Sequence, residues 1–231
     1  MSFMAVTQSL LEGFALTCLI FIITLVLAIP LGLLISLFTM SKVKVIRGTF
    51  KVIVWIVRGI PLMLQLFMVY YLPGLLSNGT NFFGKIDDFL YFEYGIECGG
   101  ALIATLIAFV INYACYFSEI FRGGIESISL GQKEAGQVLG MTKTQIFFKV
   151  TLLQVIKRIV PPMSNEIITL VKDTALARVI GIIEIIRSAE LFTADALIWP
   201  IFYSGAFFLV FVGILTLLFG FIERKLSYFK S

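Results

Sequence analysis

At 231 residues and a net charge of +4, the chain has the length of one ordinary domain, but only 14% of its residues are charged and 59% are hydrophobic. Soluble domains carry about 25% charged residues, and several apolar stretches here exceed the roughly 20 residues a bilayer-crossing helix needs. A soluble globular protein is excluded, and the fold class is an all-α polytopic membrane protein. The chain has no His and no C-x-x-C spacing, so a zinc or haem site has no support.

In chain order, the opening MSFMAVTQSLLEG lacks a basic region ahead of a long apolar run, so a retained first span is expected over about 14–40 rather than a cleaved signal. Lys42, Lys44, Arg47 and Lys51 follow without an acid. The second span, about 52–76, contains Arg58, Pro61, Gln65 and Pro73, with a kink expected at Pro61. A long acidic connection then carries Asp87, Asp88, Glu93 and Glu97. The third span covers about 99–121 and a polar segment about 122–158. The fourth, about 159–186, holds Asn165, Glu166, Lys172, Asp173 and Arg178, and hydropathy rates it the weakest. A fifth, apolar again, covers about 198–222. Residues 1–231 read as a single five-span domain.

The connections divide by charge. One side carries 13 basic residues, from Lys42 to Lys51, from Arg122 to Arg158 and in the tail; the other carries two, Lys85 and Arg187. The positive-inside rule puts the N-terminus outside, and the C-terminus with the polar segment in the cytoplasm. An odd number of spans satisfies this.

The polar segment predicts two helices. Ser129-x-x-Gln132 and Thr142-x-x-Gln145 both fit the capping box, and Met141 and Ile146 stand where a hydrophobic staple forms. Gly140 suits the left-handed position after a helix. A short helix, a bend at Gly140 and a longer helix to Arg158 are expected, with Pro161 and Pro162 marking entry into the fourth span. Such a cationic hairpin suits a lipid-surface element, a connector or a docking element for a cytoplasmic partner.

Ionisable groups inside a bilayer are expensive and point to function. Glu166, Thr169 and Asp173 recur at i, i+3 and i+7, so they share one helix face, which must meet a partner or a water-filled path. Arg58 and Asn112 are further polar groups inside spans. The structural alternatives are an ion pair of Asp173 with Lys172 or Arg178, a Glu119–Arg122 helix salt bridge, and Arg58 snorkelling to the interface.

The motifs carry a resemblance. Glu134-Ala-Gly-Gln-Val-Leu-Gly140, followed by Val150-Thr-Leu-Leu153, resembles the EAA motif of ABC-importer permeases, with Gly136 in place of the second Ala and Leu153 in place of a Pro. Arg58-Gly-Ile-Pro-Leu62 with Gln65-Leu-Phe67, the run from Asn112 to Arg122, Pro161-Pro-Met-Ser-Asn-Glu166, Leu170-Val-Lys-Asp-Thr-Ala-Leu176 and Glu223-Arg-Lys-Leu226 are similar to strings of the polar amino acid permease family, in the family's order. Tyr113 departs from it, standing where a small residue is common. The resemblance implies an ATP-driven importer of an amino acid in the cell membrane. It has two permease subunits (a second copy or a paralogue), two cytoplasmic ATPase subunits and an extracytoplasmic amino-acid-binding protein. It places ATP and magnesium on the ATPase, so this chain needs no cofactor and binds no nucleic acid. Gly131, Gln132, Glu134, Ala135 and Gly140 would serve ATPase coupling. Glu166, Asp173, Thr169, Asn112 and Arg58 would meet substrate, the acids taking its ammonium and Arg58 or Asn112 its carboxylate. The acidic connection 87–97 would touch the binding protein or stand in solvent.

No G-x-x-x-x-G-K-[ST] loop is present, so ATP hydrolysis would belong to another polypeptide. The competing classes are a secondary transporter or channel without an ATPase, and a membrane enzyme using Glu166 and Asp173 as paired carboxylates. The first commonly carries internal repeats, and none is evident; the second lacks a nucleophile–base pair.

Overall fold

The computed structural model describes residues 3–76, 82–94 and 99–226, and these are almost wholly helical. Helix α1 (Phe3–Thr39) passes through Pro30 unbroken and begins well before the expected span. It is apolar on all sides, and what sets its packing face is size. The buried positions include Thr24, Ala28, Gly32, Ser36 and Thr39, spaced three or four apart. Lipid is as apolar as Leu, so helices in a membrane associate along such small-residue stripes, where backbones approach closely. This stripe packs along α5 (Gly99–Glu126), the most deeply buried helix, whose Ala104, Ala108, Phe109, Asn112, Tyr113 and Phe117 form the centre of the core.

The expected second span is broken. Helix α2 (Lys44–Gly59) and α3 (Leu62–Leu76) meet at 104° around Ile60-Pro61. Pro61 has no N–H for the carbonyl of Val57 four residues earlier, and it disfavours helical backbone at Ile60, which is extended at φ −98° and ψ 129°. A break therefore replaces the expected kink. The acidic connection is not all loop: α4 (Phe82–Tyr94) packs on the start of α5. Asp87 Oδ1 accepts from the backbone N–H of Gly100 at 2.6 Å and of Ala101 at 3.3 Å, so this acid caps α5. Glu97 and Cys98 lie outside the described residues.

Beyond α5, α6 (Leu130–Val138) and α7 (Lys143–Ile146) form the hairpin. Thr142 and Gln145 make the reciprocal capping box, and Gly140 adopts φ +73°. The first box does not form: the Ser129 side chain makes no cap bond, and the side chain of Gln132 pairs with Gln154 instead. From α7 the chain continues through a π-helical turn (Phe147–Thr151) into α8 (Leu152–Asp173). Pro161 and Pro162 lie inside α8 rather than at its entry, and Leu153, which stands in place of a proline, falls in its first turn.

Helix α8 stops at Asp173, well short of the expected end at 186. A 3₁₀ turn (Thr174–Ile180) and left-handed Gly181 at φ +96° follow. The apolar composition of 174–186 concealed this end. Helix α9 (Ile185–Leu191) then starts on Glu184, whose fully buried carboxylate accepts the N–H groups of Ile186 and Arg187 at 2.8 Å each. After a second 3₁₀ turn, α10 (Trp199–Leu226) packs against α8 and α9. Among the described residues, α1, α5 and α10 are long and apolar enough to cross a membrane, and the bent pair α2–α3 makes a fourth candidate. Helix α8 is too polar to qualify by that measure.

Candidate substrate cavity

The sharp end of α2, the first turn of α3, the middle of α5 and the last turns of α8 converge on a cavity of about 480 Å³. All five residues singled out for substrate line it: Arg58, Asn112, Glu166, Thr169 and Asp173. The i, i+3, i+7 spacing supplies the reason for three of them, since one face of α8 delivers Glu166, Thr169 and Asp173 together. The volume falls within the range of small-molecule sites.

Four of these five polar groups are held by protein partners. Tyr113, on α5 and 1% exposed, donates its hydroxyl to Asp173 Oδ2 at 2.7 Å. No ion pair joins Asp173 to Arg178; Arg178 instead pairs with Glu190, which also meets Arg187 at 3.4 Å. Arg58 turns towards α5, its guanidinium 5.0 Å from the ring centre of Tyr116 and 3.8 Å from Glu119. Glu119 is gripped more closely by Arg122 at 2.6 Å, and Arg122 also reaches Glu126 at 2.8 Å. Asn112 accepts at Oδ1 from Gln65 Nε2 at 3.1 Å, which leaves its NH₂ for other partners. Thr169 donates to the carbonyl of Asn165 at 3.0 Å, so its hydroxyl oxygen keeps acceptor capacity.

The backbone adds polarity. Leu62, the first residue of α3, and Asp173, the last of α8, both stand in the cavity wall. A helix N-terminus carries unsatisfied N–H groups and partial positive charge, and a C-terminus the reverse. The start of α3 thus adds partial positive charge near Arg58, while the end of α2 at Gly59 lines the same space with the opposite sign. The acidic wall comes from the side chains of Glu166 and Asp173, since helical backbone runs on from α8 into the 3₁₀ turn. Among the described residues no cluster of His, Cys, Asp and Glu suits a metal ion.

Sequence reasoning did not find Tyr116, or the α2–α3 break that brings backbone into the wall. Tyr113 was visible only as a departure from the family pattern. The one available signal for the break was Pro61 beside Gly59, which hydropathy averages away.

The coupling candidates lie elsewhere, on the hairpin. Leu130, Glu134 and Val138 at i, i+4 and i+8 form one exposed stripe of α6, with Gly131, Ala135 and Leu139 also exposed. Gln132 and Gly136 occupy the opposite face. Gln132 Oε1 accepts from Gln154 at 2.5 Å, and Gly136 is buried against Ile146, where a Cβ would lie 2.8 Å from Ile146 Cγ1. A side chain at 136 would press on Ile146, so glycine suits this close contact.

Comparison with known proteins gives the same direction. Residues 28–228 match the model of the binding-protein-dependent transport system inner membrane component family. The chain is 35% identical to the arginine transport system permease protein ArtQ of Bacillus subtilis over 94% of its own length and 92% of that protein. It is 36% identical to the L-cystine transport system permease protein TcyB of the same organism, over 89% and 81%. A crystal structure of an amino acid ABC transporter with histidines superposes with a TM-score of 0.77 at 27% identity, covering 97% of this chain and 99% of that one. The inward-facing MetNI methionine ABC transporter, at 20% identity and a TM-score of 0.63, shares the fold. A whole-chain helical match, the family model across nearly the entire sequence and a polar cavity between broken helices lead to one conclusion: this chain belongs to the family of binding-protein-dependent transport system inner membrane components, the permease subunits of ABC importers.

Proposed function

We propose that the chain carries an amino acid inward, recognising its ammonium and carboxylate in the cavity between α2, α3, α5 and α8. The supporting observation is that two carboxylates, one guanidinium and one amide open onto a single 480 Å³ space beside the start of α3. A zwitterion entering a low-dielectric site loses its hydration and needs both charges met. Glu166 and Asp173 take the ammonium; Arg58, Asn112 and the start of α3 take the carboxylate. Relatives are named for arginine, L-cystine and glutamine. Their common part is this charged head, so the reading commits to the head and not to a side chain.

In the assembly, a second permease copy or paralogue completes the pathway. Two cytoplasmic ATPase subunits bind ATP and magnesium, and an extracytoplasmic binding protein delivers the cargo. Helix α8 serves as a fifth span, its polar face shielded from lipid by the pathway. The charge division between connections sets the N-terminus outside and the α6–α7 hairpin in the cytoplasm. The exposed stripe Leu130–Glu134–Val138, with Gly131 and Ala135 beside it, docks on the ATPase. Gly140 ends that helix, and Gln132 braces it against α8.

The test is uptake of labelled arginine, cystine and glutamine into proteoliposomes holding the full complex with its binding protein. Replacing a charge-assisted bond by a neutral one costs about 1.4 kcal/mol, or about tenfold, so Glu166→Gln is expected to slow uptake about tenfold. Undiminished uptake removes Glu166 from the site. Tyr113→Phe deletes only the hydroxyl that holds Asp173. With about 1 kcal/mol lost, the apparent KM for uptake is expected to rise about fivefold while assembly stays intact; an unchanged KM would show that Asp173 does not need its partner.

A further inference from the structure

The break between α2 and α3 leaves carbonyl groups that a continuous helix would have satisfied. Pro61 cannot donate to Val57, and the extended backbone at Ile60 turns its carbonyl out of both helices. Within a bilayer such groups need a partner in the protein or a water-filled cavity, and a carbonyl left without either is costly. One side chain answers both. Gln65 Nε2 lies 2.8 Å from the carbonyl oxygen of Val57 and 2.8 Å from that of Ile60. The same nitrogen is 3.1 Å from Asn112 Oδ1, so its two hydrogens are shared among three acceptors. Gln65 is not part of the cavity wall, while Asn112 and every residue from Arg58 to Leu62 are.

We propose that Gln65 is a positioning residue of the cavity: its amide replaces the N–H that Pro61 lacks and pins the α2–α3 break to Asn112 on α5. Arg58 on one side of the break, Leu62 on the other and Asn112 across from it are thereby held in one arrangement. Asn112 is 5% exposed and its oxygen is committed to Gln65, which fixes the orientation in which its NH₂ is offered. The proposal rests on the reading of the cavity as the substrate site, and it adds a residue that acts without touching substrate.

The assay is the same uptake measurement on the complete complex, with Gln65→Leu, the isosteric Gln65→Glu, Asn112→Ala and the pair Gln65→Leu/Asn112→Ala. A carboxylate cannot donate to the two carbonyls, so Gln65→Glu is expected to match Gln65→Leu. Each should raise the apparent KM about tenfold with the maximal rate within about twofold. The double variant is expected to stay near tenfold, because both changes remove one arrangement. A hundredfold effect in the double variant would mean independent roles and overturn the proposal. Wild-type KM in Gln65→Leu beside an impaired Asn112→Ala overturns it too, leaving the cavity reading in place. Wild-type KM in both, together with an unaffected Glu166→Gln, sinks the cavity reading itself. If Gln65→Leu fails to assemble, Pro61→Ala in that background returns an N–H to Val57. That variant is expected to assemble with a KM still raised; assembly with wild-type KM refutes the link to Asn112.

Discussion

Glu134→Arg is expected to reduce uptake by at least about 100-fold and to bring binding-protein-stimulated ATP hydrolysis down to its unstimulated level. Helix α6 has two faces with different tasks. One is used up in internal packing, by Gln132 on Gln154 of α8 and by Gly136 on Ile146 of α7. The other leaves Leu130 72% exposed and Val138 88% exposed, with Glu134 between them on the same stripe. Exposed apolar residues flanking a charge have the composition of a docking surface with a hydrophobic centre and one polar specificity group. Reversing a charge at such a centre sets it against whatever matched the original, at a cost of several kcal/mol. About 3 kcal/mol corresponds to about 100-fold. Since no part of the hairpin's own packing uses Glu134, the isolated permease should fold normally. Copurification of the ATPase in mild detergent and stimulated hydrolysis are the two measurements. Retention of both at wild-type levels would dismiss α6 as the docking helix.

The second large effect lies in the core. Gly32→Leu is expected to destabilise the permease by about 3 kcal/mol or more, the upper end of ordinary overpacking. A Cβ at Gly32 would sit 2.8 Å from Phe117 Cβ and 2.9 Å from the carbonyl oxygen of Ala114. Neither neighbour is the end of a flexible side chain, so relief requires α1 and α5 to separate, which opens the stripe from Ala28 to Ser36. Gly123→Leu is the control, because the space around Gly123 is open to 4 Å although it lies on the same α5. Thermal aggregation of the detergent-solubilised protein should show an early midpoint for Gly32→Leu and little change for Gly123→Leu. Equal midpoints would mean that the close approach contributes nothing.

Much of the candidate site was legible because charge in a membrane is costly. An apolar chain has few reasons to place Glu166, Thr169 and Asp173 on one helical face, and helix periodicity then brings them to one wall. The hairpin was legible because Thr142, Gln145 and Gly140 carry local backbone chemistry that acts within a few residues. What escaped was tertiary. The hydroxyl of Tyr113 finds Asp173 across 60 positions of sequence, and no local pattern announces it. Gln65 was noted only as part of a motif, because its role depends on carbonyls exposed by a break that hydropathy smooths over. The first capping box failed for a similar reason: Gln132 had a partner on another helix, Gln154, that competed with its own backbone. Asp87, taken for a solvated or docking acid, is an N-cap for α5, which became visible only with α4 in place.

The unbroken run from Lys143 through the π turn to Asp173 makes the hairpin and the cavity two ends of one rod. At 1.5 Å per residue its length is about 46 Å. If it turns about the proline pair near its middle, a tilt of about 5° carries each end through about 2 Å in opposite directions. That is the distance between a formed hydrogen bond and a lost one. Asp173, at the far tip, would part from Tyr113 as the near tip followed the ATPase, so grip on the cargo and the nucleotide cycle would share a single mechanical coordinate.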